Sequence, residues 1–190
     1  MIIGIIIKIV VVLIAVYVIF RFVSYLISFY NSLVRSKMKI KEAWANIDAA
    51  LKRRHDLIPN FVDTIKGYVA HEGETFTKIA KLRSKAMQST GKEKMDTENE
   101  ISGTLKSLYA VIENYPDLKA NTQFIELQGE LQRTENEISK LRTDYNGVVQ
   151  NYNTKIAVFP QNLIASILGF KSEPLFEAKE EERENVKVSF

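Results

Sequence analysis

The stretch FIELQGELQRTENEISKLRTDYNGVVQNY, Phe124 to Tyr152, carries Phe124, Leu127, Leu131, Thr134, Ile138, Leu141, Tyr145, Val148 and Tyr152 at alternating spacings of three and four. That rhythm keeps one stripe along one side of an α-helix and specifies a seam shared with neighbouring helices, as in a coiled coil. A second stripe lies upstream. Ile40, Trp44, Ile47, Leu51, Ile58, Val62, Ile65 and Val69 follow the same spacing, so a first soluble helix is expected to stop near Gly73.

Between these two stripes the pattern is patchier. Phe76, Ile79, Ala80, Arg83, Ala86 and Met87 outline a further amphipathic helix, and STGKEKMD after it reads as an exposed loop or a frayed turn. Thr97 to Glu100, TENE, has the form of a capping box, with Ile101, Leu105, Leu108 and Ile112 following in helical register. Tyr115, Pro116 and Asp117 break that helix. After Phe159, Pro160 and Gly169 bracket a short apolar helix. Only NVKVSF at the end alternates as a strand would.

The amino-terminal run is of another kind. Ile2 to Tyr30 is apolar apart from Lys8, Arg21 and some hydroxyl residues, which is more than the ~20 helical residues that cross a bilayer core. It reads as a membrane anchor that includes Ile2, Ile9, Val12, Ile14, Val18, Phe20, Phe22 and Phe29, the two cations snorkelling toward the head groups. No small-residue cleavage site follows it, which argues against a signal peptide. Arg35, Lys37, Lys39 and Lys41 come next and can meet anionic head groups. Only Lys8 precedes the apolar centre, so the charge bias predicts a cytoplasmic domain with the amino terminus outside.

The fold class expected is therefore all-α: residues 1–30 as a single transmembrane helix, residues 31–170 as an elongated antiparallel bundle of long helices, and residues 171–190 as a charged extended tail. Eight Gly and four Pro in 190 residues leave few places for hairpins. The helices would make a rod of roughly 50–60 Å with no evident pocket.

Chemistry is hard to find in this chain. It has no Cys, hence no thiol nucleophile, disulfide or thiolate metal site. HEGET at His71 begins like the zinc motif H-E-x-x-H but lacks the second His, and His55 lies sixteen positions away. No Gly-rich phosphate loop exists, and a net charge of +3 without a recognition module gives no case for nucleic acid. Residues 35–85 carry twelve Lys/Arg against six Asp/Glu, and residues 171–190 four against six. We therefore expect no catalytic, cofactor-binding or metal-binding residues.

One proline remains to be placed. In LKRRHDLIPNFV, Leu51 to Val62, the apolar register survives across Pro59, although a proline inside a helix frees the carbonyl four residues back and bends the axis. This reads as a joint, with Arg53, Arg54 and Asp56 placed to brace it.

Here the chain resembles the LemA family of bacterial membrane proteins. The resemblance is carried by YNSLV at Tyr30–Val34, by Ala43–Glu72 with RRHDLIPN, by Glu113–Leu131 with YPDLKAN, by Thr134–Phe170 with YNxxVxxYN and FPxNLIA, and by the closing VKVSF. It implies an anchored helical bundle and no enzyme activity, catalytic residue or cofactor. A relative in magnetosome-forming bacteria is needed for making those compartments, and relatives are discussed alongside membrane proteases. Arg53, Arg54, Asp56, Pro59, Asn60, Tyr115, Pro116, Asp117, Asn121, Tyr145, Asn146, Tyr152, Asn153 and Pro160 are then candidates for bundle corners or subunit contacts. The function expected is a non-enzymatic scaffold that self-associates into rings or arrays and shapes the bilayer. The second reading is an adaptor for a membrane-bound protease or other envelope complex.

Overall fold

A computed structural model describes residues 2–69 and 73–177. Among them the chain forms six helices and no strand: α1 (Ile2–Lys66), α2 (Gly73–Gln88), α3 (Gly91–Ile112), α4 (Pro116–Lys119), α5 (Thr122–Ala157) and α6 (Gln161–Ile167). His71 and the VKVSF pattern fall outside the described residues.

The described chain divides into two compact units. The first comprises residues up to Lys41 together with Gln150–Glu173, and the second Glu42–Val149 with the segment from Pro174 onward. In the second unit Phe61, Ile65, Ile79, Ile101, Leu105, Phe124 and Leu131 form the centre of one apolar core. Phe61 stacks on Phe124 at 5.8 Å and meets the edge of Tyr109 at 5.7 Å. In the first unit Leu33 and Tyr152 are fully buried, and Lys155 Nζ donates to Ser36 Oγ at 3.0 Å.

Several boundaries differ from the sequence reading. α1 ends at Lys66, before Gly67, and Gly73 opens α2 instead of closing α1. In α2 the core stripe is Phe76, Ile79, Leu82 and Ala86, while Met87 is exposed, because Leu82 lies between Ile79 and Ala86 on the same face. The expected loop STGKEKMD is mostly helix. Only Ser89 and Thr90 join α2 to α3, and α3 starts at Gly91, whose φ of 58° suits glycine. Buried Met95 extends the Ile101 stripe backward and draws these residues into the helix.

The capping box dissolves for the same reason. Thr97 lies inside α3, its hydroxyl donating to the Glu93 carbonyl at 2.8 Å, so it caps nothing. On α5 the seam is buried at Phe124, Leu131, Thr134, Ile138, Tyr145 and Tyr152, and Val149 is buried more deeply than Val148.

The apolar part of α1 is exposed along Ile3–Val23, long and apolar enough to cross a membrane. Phe29, near the end of the expected anchor, is buried, with its ring stacked on Tyr25 at 6.3 Å.

Candidate functional site

The α1 stripe has a gap between Leu51 and Ile58, where its rhythm demands a residue at 54 or 55. Arg54 and His55 fill it. Both are buried, Arg54 completely, and Arg54 ranks with Tyr152 and Phe61 among the largest fully buried side chains. A charge removed from water needs charged and hydrogen-bonding partners, and α3 and α5 supply them.

Arg54 Nη2 is paired with the buried carboxylate of Glu98 and donates to the Glu98 carbonyl at 3.2 Å. Its Nη1 donates to Ser102 Oγ at 2.6 Å and to Glu135 Oε1 at 2.7 Å. Ser102 Oγ in turn donates to Glu135 Oε2 at 3.0 Å, closing a ring across α1, α3 and α5. His55 Nε2 lies 3.0 Å from Glu98 Oε1. Burial pushes the Glu98 carboxyl up, but the hydrogen bond with His55 and the Arg54 charge outweigh it and hold the group below its ordinary value. Among the described residues the buried Tyr109 hydroxyl has no hydrogen-bond partner, and burial together with the Glu135 charge pushes its pKa up.

One turn further on, Pro59 has no N–H to give the carbonyl of residue 55. Arg83 of α2 takes the vacant place, its Nε donating to the His55 oxygen at 2.7 Å. The brace at the proline is thus Arg83 and not the expected trio. Arg53 pairs with Glu137 at 2.7 Å on the surface, Arg54 turns to the core, and Asp56 is exposed. Pro59 also borders an open groove of about 800 Å³ between the end of α1 and α2, floored by Ile58, Val62, Phe76 and Ile79. The rod expectation contained no such groove. Among the described residues no set of three His, Asp or Glu side chains gathers as a metal site.

The corner candidates lie where helices begin or turn. Thr64 Oγ1 donates to the Asn60 carbonyl at 2.8 Å. Tyr115 precedes α4, Pro116 is its first residue and Asp117 stands in its first turn. Asn121 caps α5, its Oδ1 accepting from the Phe124 N–H at 3.1 Å, and its Nδ2 donates to Tyr68 Oη at 3.1 Å. Pro160 caps α6.

A second constellation uses the paired Tyr-Asn motifs of α5. The segment Lys171–Glu177 is not helical, as expected where Pro174 denies an N–H and biases Glu173 to extended backbone. Such a segment must still satisfy its peptide groups. In the first unit Tyr152 Oη donates to the Lys171 carbonyl at 2.9 Å, and the Asn153 amide both accepts from the Glu173 N–H and donates to its carbonyl, each at 2.9 Å. In the second unit Tyr145 Oη donates to the Pro174 carbonyl at 3.1 Å, and Asn146 brackets the Phe176 peptide groups at 2.7 and 2.9 Å.

The same pair recurs after seven helical residues and grips the segment three residues away. Phe176 is buried, with Trp44 stacked at 6.2 Å and the Arg142 guanidinium 4.1 Å from its ring centre. Residues 171–177, the described part of the charged extended tail expected from 171, are thus non-helical chain whose peptide groups bond to α5 side chains.

The head-group candidates also part company. Arg35, Lys39 and Lys41 are exposed. Lys37 instead pairs with Glu173 at 3.2 Å and lies within 6.0 Å of the Tyr152 ring centre and 5.8 Å of that of Phe170.

Glu98, Glu135, Ser102 and Phe176 were not singled out by the sequence reading, and Arg83 was read only as part of an amphipathic helix. Position 98 lies three before Ile101, on the stripe, and was the one legible signal.

The chain is 32% identical over 162 residues to Protein LemA of Metamycoplasma hominis, covering 84% of this chain and 74% of that one. It is 23% identical over 185 residues to Magnetosome protein MamQ 2 of Paramagnetospirillum magneticum, and 21% identical over 185 residues to Magnetosome protein MamQ of Magnetospirillum gryphiswaldense, with 83% of this chain and 68% of the relative covered in each case. The LemA family model matches residues 43–190, which contain both the Arg54 network and the two Tyr-Asn clamps, and the chain belongs to the LemA family.

Proposed function

We propose that the chain is a non-enzymatic, membrane-anchored scaffold whose copies associate side by side into rings or arrays and organise or remodel the bilayer. The observation that supports this reading is the single helix α1. Its first part is apolar enough to cross hydrocarbon, and its later part carries the stripe from Ile47 to Val62 into the core of the second unit. Lateral contacts made by the helices bring the anchors of neighbouring copies together. Contacts of one patch with a different patch on the next copy close into rings or run on as filaments.

The exposed Arg35, Lys39 and Lys41 favour a cytoplasmic domain and contact with anionic lipid. Relatives named magnetosome proteins support a task at a membrane compartment. No cofactor or nucleic acid enters the reading.

Electron microscopy of the full-length protein in liposomes containing anionic lipid, beside a version lacking residues 1–30, tests it. Rings or arrays with altered vesicle curvature are expected only with the anchor. Dispersed particles on undeformed vesicles would overturn the scaffold and turn the search toward an adaptor for a membrane protease or other envelope complex.

A further inference from the structure

From Ile156 to Phe170 the chain contains no ionisable side chain, although Lys155 and Lys171 stand at its two ends. A corner after a long helix is ordinarily polar, because it faces water. This one is apolar and open: Phe159 is 79% exposed, Ile167 85% and Leu163 57%, with Val158 and Leu168 exposed beside them. Large apolar side chains gathered like this mark a surface that something apolar covers.

What covers it is indicated by where α6 sits within the first unit. Phe22, Leu26 and Tyr30 of α1 and Ile164 and Ile167 of α6 enclose an apolar cleft of about 420 Å³. These α1 residues belong to the last third of the apolar run Ile2–Tyr30. A bilayer core takes up ~20 helical residues, so the run exceeds it and its last third reaches the acyl-chain boundary of one leaflet. α6 lies at that level. Its exposed side chains continue the exposed apolar face of α1, and the exposed cations Arg35 and Lys39 follow just beyond.

The backbone of α6 is also prepared for an apolar medium, where a bare carbonyl is costly. At its end Gly169, with φ of 74°, donates to the Ser166 carbonyl at 3.1 Å, and Phe170 donates to the Ala165 carbonyl at 3.0 Å. This is a closed Schellman cap.

We propose that α6 and the Val158–Phe159 corner form a second membrane contact, an interfacial helix set among the acyl chains of the leaflet from which α1 emerges, with lipid filling the α1–α6 cleft. The inference rests on the reading of α1 as the anchor. Such a helix lies in the interface plane with its apolar face toward the chains.

The test uses the natural absence of Cys. Single spin labels are placed in the full-length protein at Phe159→Cys and Ile167→Cys, with Val12→Cys reporting the anchor and exposed Met87→Cys reporting water. In phosphatidylcholine and phosphatidylglycerol vesicles, relaxation by oxygen is compared with relaxation by a water-soluble nickel chelate. Labels at 159 and 167 are expected to behave like the label at 12, with nickel access several-fold below that at 87 and oxygen access several-fold above it.

If 159 and 167 match 87 while 12 remains in lipid, the second contact is wrong and the anchor stands. If 12 is also open to nickel, both readings fall. Labels at 159 and 167 shielded from oxygen and nickel alike would overturn the lipid contact in favour of a protein covering.

Discussion

The Nε of Arg83 donates to the carbonyl oxygen of His55 at 2.7 Å, the oxygen that Pro59 deprives of its helical partner. A residue on one helix thereby repairs a hydrogen-bond defect in another, and the proline becomes a point of attachment between α1 and α2. Arg83→Ala leaves a buried acceptor unmet and is expected to cost about 1–3 kcal/mol in denaturant unfolding of the full-length protein in detergent. Pro59→Ala restores the helical N–H, so the same change made in that background should cost distinctly less. Equal costs in the two backgrounds would show that Arg83 is not serving the Pro59 defect.

Arg54 and Glu98 should behave as a unit. Arg54→Ala strands a fully buried carboxylate, at an expected cost of about 3–5 kcal/mol. The double variant Arg54→Met, Glu98→Met removes both charges and should recover much of that loss. A double variant no better than Arg54→Ala would mean that shape, and not charge, dominates there.

The same pair predicts an acid dependence. The Glu98 carboxyl titrates lower in the folded protein than in the unfolded chain, so as pH falls the unfolded chain takes up its proton first. The stability it contributes is complete above its ordinary value of 4.5 and drains away as pH falls through the lower folded value. Urea midpoints measured from about pH 7 to pH 3 should therefore fall less steeply on the acid side in Glu98→Gln than in the parent, from a lower start.

Tyr109 runs the other way. Its hydroxyl is buried without a partner among the described residues, while its ring meets Phe61 at 5.7 Å. Tyr109→Phe keeps the ring contact, and the expected outcome lies between no change and a gain of about 1 kcal/mol. The folded-state pKa is raised, so the tyrosine's contribution is complete below its ordinary value of 10 and is lost as pH climbs beyond it. The Phe variant should accordingly have a flatter alkaline limb in thermal melts.

The Asn146 clamp can be taken apart one bond at a time. Asn146→Asp keeps the oxygen that accepts from the Phe176 N–H and loses the donor to its carbonyl, whereas Asn146→Ala loses both. Hydrogen exchange at the Phe176 amide should be slowest in the parent, faster in the Asp variant and fastest in the Ala variant. No change in that order of rates would mean that Trp44 and Arg142 hold the segment without the amide.

Much of the fold was legible because apolar residues at helical spacing leave little choice, as Phe124 to Tyr152 and Ile40 to Val69 show. The buried network was not, for a definite reason. Lys, Arg and Glu are read as solvent-facing unless paired, and the partners of Arg54 lie 44 and 81 positions away in sequence. The gap in the α1 stripe was visible, yet nothing local said that a cation would fill it. At the start of α3, TENE matched a capping pattern while the stripe through Met95 already demanded helix, and tertiary burial won. The docking of Lys171–Glu177 was hidden by its charged composition, since what holds it is backbone geometry met by the Tyr-Asn pairs of α5.

Those pairs have a bearing on what else can approach α5. The amide of Asn146 is already spent on the chain's own backbone, as is that of Asn153. A foreign extended peptide seeking the same grip competes with a tethered occupant, and tethering of this kind is equivalent to millimolar ligand. α5 thus carries side-chain amides that would otherwise solicit strand-like partners and keeps them sated from within.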